Sequence, residues 1–319
     1  MNPFPKDGPP SAPRRRVRLA WLVVVGLLLL GCGLAYVHFW LARSIGEGPA
    51  GPVVPKEPFA TVWTTRKVLL LGLGDSVTAG FGVRRGYGYF DRLAENPADE
   101  FAEMRGVCLS AVLPNLRVQN LAQSGSTSLY HVDRLQALAR QDAQTLGLVV
   151  VTSGGNDLIH NYGRTPPREG AMYGATLAQA RPWIAAYQER LRTMLGLLED
   201  RFPGGLHVFL ADIYDPTDGR GDASHAGLPP WPEGVQVLAA YNEAIRRVAA
   251  ERKFVHVVPM HDAFLGHGIH CTQFWQPHYR AADPHYWYAA NLEDPNHRGY
   301  DAIRRLMLIE MAEVLGNKP

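Results

Sequence analysis

Five short apolar, β-favouring runs punctuate the second half-dozen tens of residues onward, at 67–73, 116–121, 148–152, 206–213 and 254–260. Most lack strict alternation with polar residues, the pattern of strands buried on both faces of a parallel sheet. Between them lie helical stretches at 131–144, 178–198 and 235–252, and a last one at 300–315 sets Ile303, Leu306, Met307, Met311 and Val314 on one face. Strand–helix alternation requires right-handed crossovers and so predicts a doubly wound three-layer α/β/α sandwich. In such a sheet, sites lie beyond the carboxyl ends of the strands.

The chain has 319 residues, enough for one large domain with appendages. With 46% hydrophobic and 19% charged residues a sizeable core is expected. The formal charge of +2 hides an asymmetry: Lys6, Arg14, Arg15, Arg16 and Arg18 face only Asp7 in the first 18 residues. The remaining body is close to neutral and offers no electrostatic footprint for nucleic acid. Residues 19–42 hold no Lys, Arg, Asp or Glu, with His38 the one strongly polar member. As a helix this run spans roughly 36 Å, enough to cross a bilayer. The positive-inside rule places the basic tail, 1–18, in the cytoplasm and the rest beyond the membrane, periplasmic or extracellular. A lipobox-like Leu29-Leu30-Gly31-Cys32 and a cleaved signal peptide are rivals to this uncleaved anchor, and each exports the domain. The first dozen residues read as disordered. Residues 43–65, Gly- and Pro-rich from Ser44 to about Glu57, read as a spacer, leaving 66–316 as the globular domain. Cys108 and Cys271 allow either a disulfide or two buried thiols. Neither a CxxC pair nor an H-E-x-x-H appears, so no metal or other cofactor is expected.

The first run leads directly into Gly74-Asp75-Ser76-Val77-Thr78-Ala79-Gly80. A serine at a strand's carboxyl end can expose its Oγ while its own N–H faces a developing oxyanion; as a plain residue it would be a helix N-cap. The third glycine of a dinucleotide loop is absent, as are a Walker lysine and the G-x-S-x-G elbow. After the second run, Gly125 can bring its N–H close to a ligand or serve a turn. After the third, Gly154-Gly155-Asn156-Asp157 puts an amide at the rim of the sheet, an oxyanion donor or an Asx-turn. Asp157 reads as the cap of the following helix. The Asp-x-x-His spacing of a base and its orienter occurs at Asp157/His160, Asp222/His225 and Asp294/His297. The last precedes the terminal amphipathic helix and is preferred.

Taken in order, Gly74-Asp75-Ser76, Gly125, Gly154-Gly155-Asn156-Asp157 and Asp294-Pro295-Asn296-His297 resemble the SGNH/GDSL hydrolase superfamily over roughly residues 66–316. The resemblance implies a flavodoxin-like five-stranded parallel sheet, Ser76 as nucleophile, His297 as base oriented by Asp294, and an oxyanion hole from Ser76 N–H, Gly125 N–H and Asn156. Asp75, Gly154 and Asp157 support these. Two features depart from the family: Arg298-Gly299-Tyr300 follow His297 at once, where Pro is usual, and about thirty residues separate the last strand from Asp294. That long segment is rich in aromatics and histidines, Phe274 to Tyr288, either packing over the sheet's edge or walling a substrate site. The expected activity is a membrane-anchored serine esterase acting on a small-molecule, lipid or glycan ester. The alternatives are a polysaccharide O-acetyl esterase and a non-catalytic tethered binding module.

Overall fold

The computed structural model of the chain describes residues 13–159 and 173–316; the first dozen residues and His160 lie outside them. Two units are distinguished, Met1–Arg43 and Ser44–Pro319. In the first, α1 (Pro13–Tyr36) continues into one wider turn, Val37–Leu41. The span Val17–Leu41 is long and apolar enough to cross a membrane, and none of it is buried.

The second unit runs β1 (Lys67–Gly74), α2 (Ser76–Ala79), α3 (Tyr89–Ala94), α4 (Leu109–Val112), β2 (Leu116–Asn120), α5 (Ser128–Gln136), β3 (Thr145–Thr152), α6 (Gly155–Ile159), α7 (Leu177–Arg201), β4 (Leu206–Ala211), α8 (Gly234–Ala250), β5 (Val255–Val258), α9 (Met260–Phe264) and α10 (His297–Met311). All five strands are parallel, in the order β2-β1-β3-β4-β5. Because strand side chains alternate between faces, each apolar run feeds two cores. Leu70, Leu148, Val150 and Phe209 pack with Tyr89, Leu93, Ile303 and Met307 on one side. Leu71, Leu73, Val149 and Leu210 pack with Leu135, Leu191, Leu198 and Ile245 on the other. The edge strand β2 departs from the two-faced burial expected of it, with Val118 exposed.

Three further expectations are corrected. The helix expected over 131–144 is α5, which starts at Ser128 and stops at Gln136. Arg201 donates to the carbonyls of Leu135 and Gln136, and Gln141 N–H bonds Arg201 O, so the end of α7 satisfies groups that a longer helix would use itself. The terminal helix begins three residues early because Asn296 caps it, accepting the N–H groups of Arg298 and Gly299 at 2.9 and 3.1 Å. Third, the expected spacer is packed. Ala50, Val54 and Phe59 are buried. Ala50 N–H donates to Asp301, Arg298 to the carbonyls of Glu47 and Gly48, Arg305 to Pro52 O, and Tyr286 N–H to Ser44 O. Gly51, at φ 90°, makes the close approach possible: a Cβ there would stand 2.7 Å from Ala302 Cα. Cys108 and Cys271 are both buried and no disulfide joins them.

Beneath this strap lies an ionic cluster. Arg304 is fully buried and donates to Glu100 and Asp301; Arg92 pairs with the same two acids, and Arg305 with Asp301. Burial alone would push the Glu100 carboxyl up, but hydrogen bonds and charge from Arg304 and Arg92 hold it down at about 2. The cluster joins α10 to α3 and to the strap. A fragment starting at Pro58 should therefore be less stable than one starting at Ser44, by at least about 3 kcal/mol for the apolar burial and hydrogen bonds lost. Chemical denaturation of the two fragments checks this.

Candidate active site

The strand order reverses between β1 and β3, and the loops leaving their carboxyl ends, with that of β2, converge there. Ser76 is the first residue of α2 and partly exposed. Asp75 caps this short helix by accepting Val77 N–H at 3.1 Å. Ser76 N–H is one of the amides that a helix start leaves without an internal partner. Asp75 also accepts Thr152 Oγ1 at 2.9 Å, and Thr78 Oγ1 lies 2.7 Å from Thr152 Oγ1 and 2.6 Å from the Tyr89 hydroxyl. Burial pushes the Asp75 carboxyl up to about 7, the nearby charge of Asp294 adding to it, while the bonds from Thr152 and Val77 oppose it.

Gly125 has φ 77°, in the left-handed region, and among the described residues its N–H donates to no backbone carbonyl. The next residue, Ser126, donates to Gly74 O at 3.0 Å and lies 2.8 Å from His131 Nε2; His131 Nδ1 lies 3.0 Å from Ser153 Oγ. This arrangement fits a neutral imidazole protonated on Nε2. Asn156, in α6, donates one amide hydrogen to Ser126 O at 3.0 Å, which orients the group and leaves its second hydrogen for a ligand. Gly154 is required by crowding as well as by its φ of 102°, since a Cβ would meet the Tyr187 hydroxyl at 2.7 Å. Tyr187 in turn donates to Ser153 O at 2.8 Å.

Asp157 does cap a helix, but not the following one. It is fully buried and accepts the backbone N–H of Ser128 at the start of α5, together with Ser128 Oγ and Arg190. Burial raises its carboxyl despite these bonds and the Arg190 charge. Thus the loops after β1, β2 and β3 are locked to one another through polar side chains. Ser76, Gly125 and Asn156 are each held by that lock or by residues next to them.

Ser76 and Asn156 border a cavity of about 130 Å³ whose other walls include Leu158, Ile213, Leu228, Trp231, Leu238 and Met260. The segment after β5 reaches the site because Asp218 accepts the N–H groups of Gly266, Gly268 and His270, and because Tyr286, Trp287 and Tyr288 enter the core. Phe274 and Trp275 stay exposed, so the aromatic segment divides between packing and surface. Leu292 and Glu293 then line the cavity.

The expected pairing of Asp294 with His297 is not formed. His297 is the first residue of α10 and exposed, and it makes no hydrogen bond or ion pair with Asp294 or Ser76. The carboxylate three residues earlier is buried on the loop, while His297 is exposed at the first position of the helix. Of the two Asp-x-x-His spacings within the described residues, Asp222/His225 forms a bond, at 3.0 Å, with His270 on the other carboxylate oxygen at 2.9 Å. Among the described residues no group of three or more His, Cys, Asp or Glu is arranged to hold a metal ion. Thr152 ended a recognisable strand, but His131, Tyr187 and Arg190 carry no motif and were not legible as site residues.

Burial pushes the His131 imidazole down to about 4 from 6.5. The unfolded chain takes up a proton between pH 6.5 and 4 that the folded chain refuses, so this contribution is present above pH 6.5 and lost as pH falls through 4. It amounts to about 3 kcal/mol. The raised Asp75 carboxyl acts oppositely over the same window, favouring the fold as pH falls. Replacing His131 by Asn should therefore shrink the loss of melting temperature between pH 7 and 4.5, relative to the unsubstituted protein. Thermal melts at the two pH values check this.

A family model described as the GDSL-like lipase/acylhydrolase family matches residues 73–302. No curated protein matches significantly. Among solved structures, the chain is similar to a member of the lipolytic G-D-S-L family from Veillonella parvula, at 17% identity, covering 79% of this chain and 100% of that one, with a TM-score of 0.46. It is similar to an acetyl-xylooligosaccharide esterase variant from Geobacillus, at 18% identity over 78% and 95%, TM-score 0.48. It is also similar to an esterase from Pseudoalteromonas, at 17% identity over 78% and 99%, TM-score 0.45.

Proposed function

As the chain belongs to the GDSL-like lipase/acylhydrolase family and is an ester-cleaving hydrolase, we propose that Ser76 is its nucleophile and that the acyl group of the substrate occupies the apolar cavity beside it. The observation that supports this is the placement of Ser76 at a strand end, on the wall of a cavity whose lining includes the apolar side chains of Leu158, Ile213, Leu228, Trp231, Leu238 and Met260. Ser76 Oγ attacks the ester carbonyl carbon. The carbonyl oxygen, gaining charge, is met by Ser76 N–H, Gly125 N–H and the second amide hydrogen of Asn156. The alcohol leaves, and water releases the acyl group from Ser76. The proton of Ser76 Oγ passes to the His297 imidazole, with Asp294 as the proposed orienter, and from there to the leaving alcohol. The helix α1 is the proposed membrane tether, its basic end cytoplasmic and the hydrolase domain on the other side, supported by its length and by Arg14–Arg16 and Arg18. A reporter joined to the C-terminus should be active only outside the cytoplasm.

An apolar acyl site has a quantitative signature. Each further buried methylene contributes about 0.8 kcal/mol, so kcat/KM on p-nitrophenyl esters should rise about fourfold per carbon beyond acetate until the cavity is full. A profile that instead peaks at acetate would point to a polysaccharide O-acetyl esterase. Hydrolysis and labelling by a fluorophosphonate should both vanish in Ser76→Ala. A folded wild type that neither labels nor hydrolyses any ester would leave the binding-module reading in its place.

Loss of one oxyanion donor costs about 3–4 kcal/mol of barrier. Asn156→Ala should therefore lower kcat by about 10²–10³-fold, measured beside a thermal melt that shows the fold intact.

A further inference from the structure

The length of chain that the cavity beside Ser76 can hold is set by walls that take no part in the chemistry. Ser76 follows β1 and Asn156 follows β3, whereas Leu228, Trp231, Val235 and Leu238 belong to the connection after β4 and to α8. In the sheet, β1 and β4 stand on either side of β3, two strand spacings or about 10 Å apart. The cavity therefore runs across the strand ends, from the serine towards a wall made after β4. An apolar cavity of about 150 Å³ holds one benzene molecule. The 130 Å³ here is accordingly filled by about six carbons.

The wall after β4 is rigid. Trp231 is buried, and its indole N–H donates to Ala175 O at 2.7 Å. Its ring packs against that of Tyr173, 4.7 Å between centroids, and the Tyr173 hydroxyl donates to Pro229 O at 2.7 Å. Leu177 N–H, an amide that the start of α7 leaves without an internal partner, donates to the Glu233 carboxylate at 2.7 Å. The indole also lies close against Gly234, where a Cβ would stand 3.0 Å from Trp231 Cδ2. These contacts staple the start of α7 to the segment before α8 and hold the indole in one orientation. Leu292, which lines the same cavity, is fixed by a strained turn: its φ is 65°, a region that bulky side chains avoid. Asn291 Oδ1 holds that turn by accepting the N–H groups of Glu293 and Asp294 at 3.3 and 3.2 Å.

We infer that Trp231 determines the acyl-chain length of the substrate, closing the cavity at about six carbons. The ester is then that of a medium-length fatty acid, neither acetic nor long-chain. This rests on the acyl group lying in the cavity beside Ser76. With its carbonyl at Ser76, the chain lays its methylenes against Leu158, Ile213 and Leu238, and each one buried adds to binding. The carbon that first reaches the indole meets a group that cannot swing aside without breaking the bond to Ala175 O and the contact with Tyr173. Forcing further methylenes against packed, fixed side chains is costly, so the limit is sharp. Leu238, from α8, is the position at which added volume shortens the cavity.

The test compares the full-length protein with Trp231→Ala, Trp231→Leu, Leu238→Phe and Ser76→Ala on p-nitrophenyl esters from acetate to laurate, beside thermal melts. Wild type should reach its highest kcat/KM at hexanoate and fall at least about tenfold by decanoate, the scale of overpacking. In Trp231→Ala the ratio of kcat/KM for decanoate to that for hexanoate should rise at least about tenfold, because the chain takes the space the indole leaves. Leu238→Phe should move the maximum the other way, to butanoate. A ratio that Trp231→Ala leaves unchanged, or a wild-type maximum at decanoate or longer, overturns the assignment of Trp231 with Ser76 and its cavity still in place. Should Trp231→Ala not fold, Trp231→Leu decides: its maximum moves to octanoate or beyond if the indole is the limit, and stays at hexanoate if it is not. A wild-type maximum at acetate removes the acyl cavity, and hydrolysis that survives Ser76→Ala removes the nucleophile, and either takes this inference with it.

Discussion

The buried ionic cluster around Arg304 is the constraint on which the arrangement of the site depends. Two acids, Glu100 and Asp301, and three guanidinium groups, from Arg92, Arg304 and Arg305, meet where water is excluded. Removing one partner from such a set leaves an uncompensated buried charge, a loss of about 3–5 kcal/mol. The cluster ties α10 to α3, which follows the Ser76 turn, and to the strap that precedes β1. Since the loop of Asp294 leads straight into α10, the register of that helix sets where the loop lies relative to Ser76. Tyr300, one turn into α10, completes the connection through Phe81 O.

A second, finer level of order lies in the polar contacts between loops. The chain Asp75–Thr152–Thr78–Tyr89 links the first and third strand ends, and Ser126–His131–Ser153 links the second and third. The Asp157–Ser128–Arg190 contacts close the set from the side of α7. Buried networks of this kind are costly when broken and rigid when complete. Their effect is to present Ser76 N–H, Gly125 N–H and the Asn156 amide as fixed dipoles, which is the form in which donors stabilise developing charge without reorganising.

The cavity beside Ser76 differs in character from this layer. Its walls come from α6, α8 and the segments after β4 and β5, and they are mainly hydrocarbon. Its lining sets apolar side chains such as Leu158, Ile213, Trp231 and Met260 beside the polar Ser76 and Asn156, the usual division in a ligand site between affinity and orientation. An ester substrate has the same division, with one polar carbonyl and an acyl chain.

How much was legible beforehand follows from the range of the interactions involved. The five strands and their parallel sandwich were readable because runs such as that ending at Leu73 are apolar on both faces, a local pattern. Ser76, Gly125 and Asn156 were readable because each follows such a run, and chain order alone puts strand ends on one edge of a parallel sheet. Composition also marked the apolar span of α1. Other features depend on contacts between residues far apart in sequence. The Gly/Pro stretch around Gly51 looked like a spacer because its binding surface belongs to α10, some 250 residues on. His131 looked ordinary because its two serine partners come from different loops. Asp294 and His297 looked like a pair because they stand three positions apart, yet the helix cap, Asn296, falls between them, and Asp294 is buried while His297 is exposed. Sequence by itself determined the sheet and which strand ends gather at one edge, because those are set by local patterning; only the tertiary structure decided that the Gly/Pro stretch packs on α10 and that Asp294 is buried while His297 is exposed, because those are set by a cap, a strained turn and a buried ionic cluster brought together from distant segments.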